Sequence, residues 1–242
     1  MDKVSHTAPA PDRTESPARG RPWPGWPLPA ALLAVLAVLT VNVLAHGPLV
    51  TLDQHIRHTV QGWAHAAAWR WLADSPHAPA QLVTDLGRET VAVPVLAVVA
   101  AVLAVRGRTL RPLLVAATGV VLLLVTVIPA KIIIARPGPG TTALAAGSWG
   151  YFPSGHTSTA CVCYSIAVFL VIAGRAGWVR RAALAGLAAV WLLVGAALVW
   201  CDYHWATDVL AGWALSALIV WLALRVPPLR RPLQRLRIPY QR

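Results

Sequence analysis

Six apolar runs, each near the length of a membrane-spanning helix, set the terms on which this chain can fold. They fall at 28–45, 91–105, 112–134, 157–174, 182–201 and 205–224. Crossing the hydrocarbon takes about 20 apolar residues in a helix, and only the second run is marginal by that measure. Inside lipid every backbone N–H and C=O must find a partner within the protein, which leaves helices or a closed barrel. Continuous runs of this length select helices. The expected fold class is all-α: a polytopic membrane protein built as a six-transmembrane-helix bundle over residues 28–225. Composition agrees, since 57% of residues are apolar and only 12% charged, about half the charge of a soluble domain. That balance excludes a soluble globule, a disordered chain and a collagen-like chain. Three Cys in 242 residues exclude a disulfide scaffold.

The flanks differ from the bundle. Residues 1–27 are polar and proline-rich and are expected to form a disordered tail. No clean small-x-small cleavage site follows the first run, so it reads as an uncleaved span rather than a signal peptide. Residues 226–242 form a basic tail. Sixteen of the 21 Lys and Arg residues fall on one side of a six-span topology. They lie in the first tail, around Arg106, Arg108 and Arg111, around Arg175, Arg180 and Arg181, and from Arg225 onward. By the positive-inside rule that side is cytoplasmic, with both termini. The net charge of +12 then reports topology and anionic headgroups, not nucleic acid. Lys3 and Lys131 are the only lysines beside many Arg and Ala, a bias pointing to a GC-rich, bacterial source.

Trp23, Trp26, Trp149, Trp178, Trp200, Trp205 and Trp221 lie near the proposed span ends, where interfacial anchors belong. Residues 46–89 form an external segment. Ile56, Val60, Trp63, Ala67 and Trp71 follow helical spacing there, so part of it is expected to lie flat on the outer leaflet. His55, His58 and His65 on that segment read as solvated rather than as metal ligands. Cys161 and Cys163, at i and i+2 among apolar neighbours, read as packing residues.

Ionisable residues at membrane depth are costly and point to function. Here they gather in three pieces that the topology sends to the outer face. Lys131-Ile-Ile-Ile-Ala-Arg136-Pro137-Gly138-Pro139-Gly140 ends the third span with two cations beside a Pro/Gly turn, which suits a phosphate. Pro153-Ser154-Gly155-His156 opens the fourth span. Ser154 is a cap candidate, Gly155 permits close backbone approach, and the helix start offers N–H groups to an anion. His156 in that turn can protonate a leaving oxygen. His204-Trp-Ala-Thr-Asp208 opens the sixth span with an imidazole and a carboxylate on one helical face. A carboxylate holding one ring nitrogen as N–H leaves the other as a nucleophile. No Walker loop, dinucleotide fingerprint or metal-ligand spacing competes.

These residues, in this order, resemble the type 2 phosphatidic acid phosphatase (PAP2) superfamily, whose pattern is KxxxxxxRP, PSGH and SRxxxxxHxxxD. The similarity covers residues 50–222. It implies a metal- and cofactor-independent membrane phosphatase acting on a lipid phosphate or diphosphate at the extracytoplasmic face. In that reading His204 attacks phosphorus and forms a phosphohistidine, Asp208 orients it, and His156 serves as general acid. Lys131, Arg136, Ser154 and Gly155 hold phosphoryl oxygens. By family, candidate substrates are undecaprenyl diphosphate, phosphatidylglycerophosphate, phosphatidate and other polyprenyl phosphates.

Two positions depart from the pattern. Gly138 stands where the first motif has Arg, and Leu198 where the third has it, with Ala197 in place of the Ser. The Pro/Gly turn is expected to let Arg136 swing in for the first loss, while nothing nearby replaces the second. Asp202 is an added acid two residues before His204, placed to repel phosphate if it faced the pocket. Two other readings stay open: a lipid-binding protein that no longer turns over, and a phosphotransferase to an acceptor other than water.

Overall fold

The computed structural model describes residues 26–71 and 78–225. Most of the proline-rich N-terminal tail and the whole of the basic C-terminal tail lie outside the described residues. The chain folds into helices α1 (Pro27–Leu44), α2 (Pro48–Trp71), α3 (Ala78–Asp85), α4 (Glu89–Gly107), α5 (Arg111–Ile134), α6 (Gly155–Val171), α7 (Gly177–Trp200) and α8 (Ala206–Ala223). The all-α architecture is as expected. Helices α1, α4, α5, α7 and α8 are long and apolar enough to cross a membrane. Helix α6, with 17 residues, is a shorter apolar helix and is the fourth expected span. The marginal second run becomes a 19-residue helix because Glu89 and Thr90 join its first turn and Arg106 its last, leaving Pro94 within it.

Hydrophobicity alone cannot decide which face of such a helix points inward, because lipid is as apolar as the core. Size decides instead. Along α4, Ala92, Leu96, Ala100 and Ala104 form a mostly small i, i+4 stripe that is buried. Val91, Val95, Val98, Val102 and Val105 on the other face are exposed. Small side chains let α4 approach α6, which also packs against α5, α7 and α8 and is buried along most of its length. A core cluster joins Leu96 of α4, Val115 and Val127 of α5, Val162 and Ile166 of α6 and Ile219 of α8. Cys161 and Cys163 are buried in α6, as packing residues. Trp26, Trp149 and Trp178 are exposed, whereas Trp221 is buried, with Trp26 edge-on to it and the Arg225 guanidinium over its ring.

Connectivity sorts the helix ends. The C-terminus of α5, the N-termini of α6 and α8 and the C-terminus of α7 share one end of the bundle. The turns carrying Arg106, Arg108, Arg111, Arg175, Arg180 and Arg181 share the other with Arg225.

Helix α2 turns a partly polar face to the bundle. Ile56 and Val60 do turn toward the protein, but Trp63 is 63% exposed, and the side chains of Ala67 and Trp71 lie outside the described residues. The innermost residues of α2 are instead Asp53 and Ala64, flanked by the half-buried Ile56, Arg57, Val60 and Gln61. The face turned to the bundle is thus partly charged, because it has polar partners on α7, α8 and the loop after α5. His55, His58 and His65 point away from it and are exposed.

Candidate active site

Helix α5 ends at Ala135 in a left-handed conformation, φ 48°. Pro137 prevents continuation, and the chain turns so that Arg136 points inward. Its guanidinium is only 7% exposed. One nitrogen donates to Thr207 Oγ1 at 2.7 Å and Asp208 Oδ1 at 2.5 Å, the other to Asp53 Oδ2 at 2.7 Å. The Trp205 ring lies beneath it, 5.3 Å from the guanidinium carbon. Lys131, one turn earlier, donates to the Gly150 carbonyl at 2.8 Å, and its side chain runs past Gly155.

Helix α6 starts from a capped turn. Ser154 Oγ accepts from the Thr157 N–H, and the Ser154 N–H donates at 3.0 Å to the carbonyl of Asp208. The fourth and sixth expected spans are therefore joined backbone to backbone at their first turns. His156 follows in the first turn, half-buried, with the Gly87 backbone of the α3–α4 turn against it.

Helix α8 starts just after His204. The turn out of α7 is closed by the N–H groups of Tyr203 and His204, which both donate to the Leu198 carbonyl. One helical turn on, Asp208 is fully buried and its Oδ2 lies 3.3 Å from His204 Nδ1. The same oxygen accepts from the Trp205 N–H. A carboxylate in that place fixes Nδ1 as the protonated nitrogen and leaves Nε2 with its lone pair. Burial pushes the imidazole pKa of His204 below its ordinary value. The hydrogen bond to Asp208 opposes this, while the charges of Lys131 and Arg136 add to it. The ring is therefore neutral near pH 7. Tyr151 stands edge-on to it, with centroids 5.5 Å apart.

Lys131, Arg136, Ser154, Gly155, His156, His204 and Asp208 all gather at this end of the bundle. Arg136 differs from its expected role in one respect: two carboxylates and a hydroxyl already occupy its guanidinium. Asp202 also differs, because it pairs with Arg57 of α2 at 2.6 and 2.8 Å instead of standing bare. Both missing arginines have a local cause. A Cβ at Gly138 would lie 2.6–2.9 Å from atoms of the Tyr151 ring, so the aromatic occupies the space a longer side chain would need. Leu198 is fully buried in an apolar cluster with Ala160, Val194 and Val209.

Sequence reasoning missed Asp53, Arg57, Gln61, Thr207 and Tyr151. Asp53 is 1% exposed. It accepts from the Arg136 guanidinium, from the Thr207 N–H at 2.9 Å and from the Thr207 hydroxyl. An acid from α2 therefore satisfies one orphan N–H at the start of α8. Gln61 donates to the Trp200 carbonyl at 3.1 Å. The available signal was the spacing: Asp53, Arg57 and Gln61 recur at i, i+4 and i+8, a polar stripe beside the apolar one.

The family model of the PAP2 superfamily matches residues 112–232. The chain belongs to the PAP2 superfamily. Its fold is also that of a solved PAP2 protein, the transmembrane PAP2-type phosphatidylglycerolphosphate phosphatase from Bacillus subtilis. The TM-score is 0.66 with 22% identity, covering 81% of this chain and 94% of that one. No curated protein matches the chain in sequence. This PAP2 chain is thus a multi-pass membrane protein whose motif residues converge on one end of the bundle.

Proposed function

We propose that the protein is a membrane phosphatase that hydrolyses a lipid phosphate or lipid diphosphate through a phosphohistidine on His204. The observation that carries this reading is the His204–Asp208 pair, with Nδ1 committed to a buried carboxylate and Nε2 left free. In the first step Nε2 attacks phosphorus as the bond to the leaving oxygen breaks, and His156 gives that oxygen a proton. In the second step water attacks the phosphohistidine, His156 takes the water proton, and the imidazole leaves. Lys131, Ser154 and the Gly155 N–H receive the charge on the phosphoryl oxygens, the main lever in phosphoryl transfer. Arg136 takes part from one layer back, where its charge balances Asp208 and Asp53.

The active end of the bundle lies opposite the arginine-rich turns, which supports an extracytoplasmic site with both termini in the cytoplasm. Cysteine labelling tests this: position 108 should be silent from outside intact cells. The reaction is tested by phosphate release from a panel of lipid phosphates with EDTA present. Loss of all activity in EDTA would contradict a mechanism that needs no metal. A second reading, a lipid-binding protein without turnover, draws support from Gly138, Leu198 and the occupied Arg136. It predicts headgroup binding with no phosphate released from any lipid.

A further inference from the structure

We propose that Arg57 is the receptor for a second phosphate of the substrate and that Asp202 holds it ready when no substrate is bound. The inference rests on the phosphatase reading and names the class of lipid it selects: one carrying two phosphates. Among the described residues two other guanidiniums bear on the outer end of the bundle: Arg136 is consumed by Asp53 and Asp208, and Arg88 pairs with Asp85 on the α3–α4 turn. Arg57 stands between the two segments that frame the site. It bonds Asp202 in the turn that carries His204, and its Nη2 lies 2.8 Å from where a Cβ would sit on Gly140, in the loop after Arg136.

The surroundings of this guanidinium are built to receive it. Gly140 has φ +72° and Asp202 has φ +59°, so backbone on both sides takes up the left-handed conformation. Asp202 takes it as the residue that closes α7, its N–H donating to the Val199 carbonyl and the Tyr203 N–H to the Leu198 carbonyl. Asp202 lies two residues from His204, and chain geometry keeps their Cα atoms within about 7 Å. A second phosphate on the same lipid can bridge such a gap. Side-chain exposures of 29% for Arg57 and 27% for Asp202 leave the pair open to solvent. An open carboxylate pair of this kind is weak, and a phosphate that accepts from the guanidinium fork can displace it. Gln61 holds α2 to the end of α7 independently through the Trp200 carbonyl. Releasing Asp202 therefore frees Arg57 without undocking the helix.

The test compares wild type, Arg57→Gln and Asp202→Asn on four lipids. Two carry two phosphates (a polyprenyl diphosphate and phosphatidylglycerophosphate) and two carry one (a polyprenyl monophosphate and phosphatidate). Arg57→Gln should raise KM about ten-fold for a lipid with two phosphates, the loss of one charged hydrogen-bonding pair, with kcat nearly unchanged and the monophosphates unmoved. Asp202→Asn should lower the same KM, because the competing carboxylate is gone. A shift with the diphosphate places the second phosphate next to the first; a shift with phosphatidylglycerophosphate places it further along the headgroup. Either supports the subsite. An ion pair that only pins α2 would make both substitutions change every lipid in the same direction, which overturns it. Affinity is also read on His204→Ala protein. No phosphate release by wild type refutes the phosphatase reading, whereas affinity for two-phosphate lipids that ignores Arg57→Gln refutes the subsite.

Discussion

Helices α8 and α2 meet at the same site, yet they are built on opposite plans. Helix α8 is an apolar span, and His204 just before it and Asp208 in its first turn face each other across 3.3 Å. Helix α2 is not apolar enough to span. It reaches the site along its flank with Asp53, Arg57 and Gln61, whose partners are far away in the chain: Arg57 and Asp202 are 145 residues apart, Asp53 and Thr207 154. In the proposed mechanism one helix start holds the reacting groups and the other helix holds those groups in place. Substitutions on the first should therefore remove turnover, and substitutions on the second should change stability, orientation and selectivity.

The largest effect expected is on α8. His204→Ala should reduce phosphate release by about 10⁴-fold or more while lipid binding persists, as when a nucleophile is removed from a concerted set. Asp208→Asn should cost about 10³–10⁴-fold, because the amide favours the wrong imidazole tautomer. Binding lost in parallel with turnover would break the contrast between the two helices.

On α2, Asp53→Ala leaves the Arg136 guanidinium with one carboxylate fewer and uncaps the start of α8. Breaking a buried pair of this kind costs about 3–5 kcal/mol of stability, read as a lower unfolding midpoint in detergent. A midpoint equal to wild type would show that α2 does not hold the site. The Gly138–Tyr151 contact comes next. Gly138→Arg restores the residue that the PAP2 pattern carries, yet it should reduce activity, because the new side chain collides with the Tyr151 ring. Overpacking of this kind costs about 1–3 kcal/mol. A gain in kcat/KM would show that the missing arginine, not the packing, limits this enzyme.

The smallest effect is in the pH profile. Burial holds the His204 imidazole below its ordinary value of about 6.5, so kcat/KM should fall on the acid side below that value, and on the alkaline side where His156 loses the proton it must donate. Arg136→Gln removes a positive charge that pushes the imidazole down, so the acid limb should move to higher pH. A rise in KM with an unmoved acid limb would instead assign Arg136 to the phosphate directly.

What could be read from the sequence follows the same division. Lys131, Ser154-Gly155-His156 and His204 with Asp208 were legible because each piece is local and sits at a span end where charge is costly. The six spans were legible because length and apolarity decide them. The inward face of α4 was not, since Ala and Val are equally apolar and only packing separates them. Asp53 and Arg57 were hidden for a different reason: a charged residue on a helix with mixed faces reads as solvated until its partner is known.

The most direct test of the central claim is capture of the covalent intermediate. Protein quenched during turnover of a lipid labelled in the phosphate to be transferred should carry one acid-labile, alkali-stable phosphoryl group in wild type and none in His204→Ala. Label that persists in His204→Ala would assign the nucleophile to another residue and contradict the account.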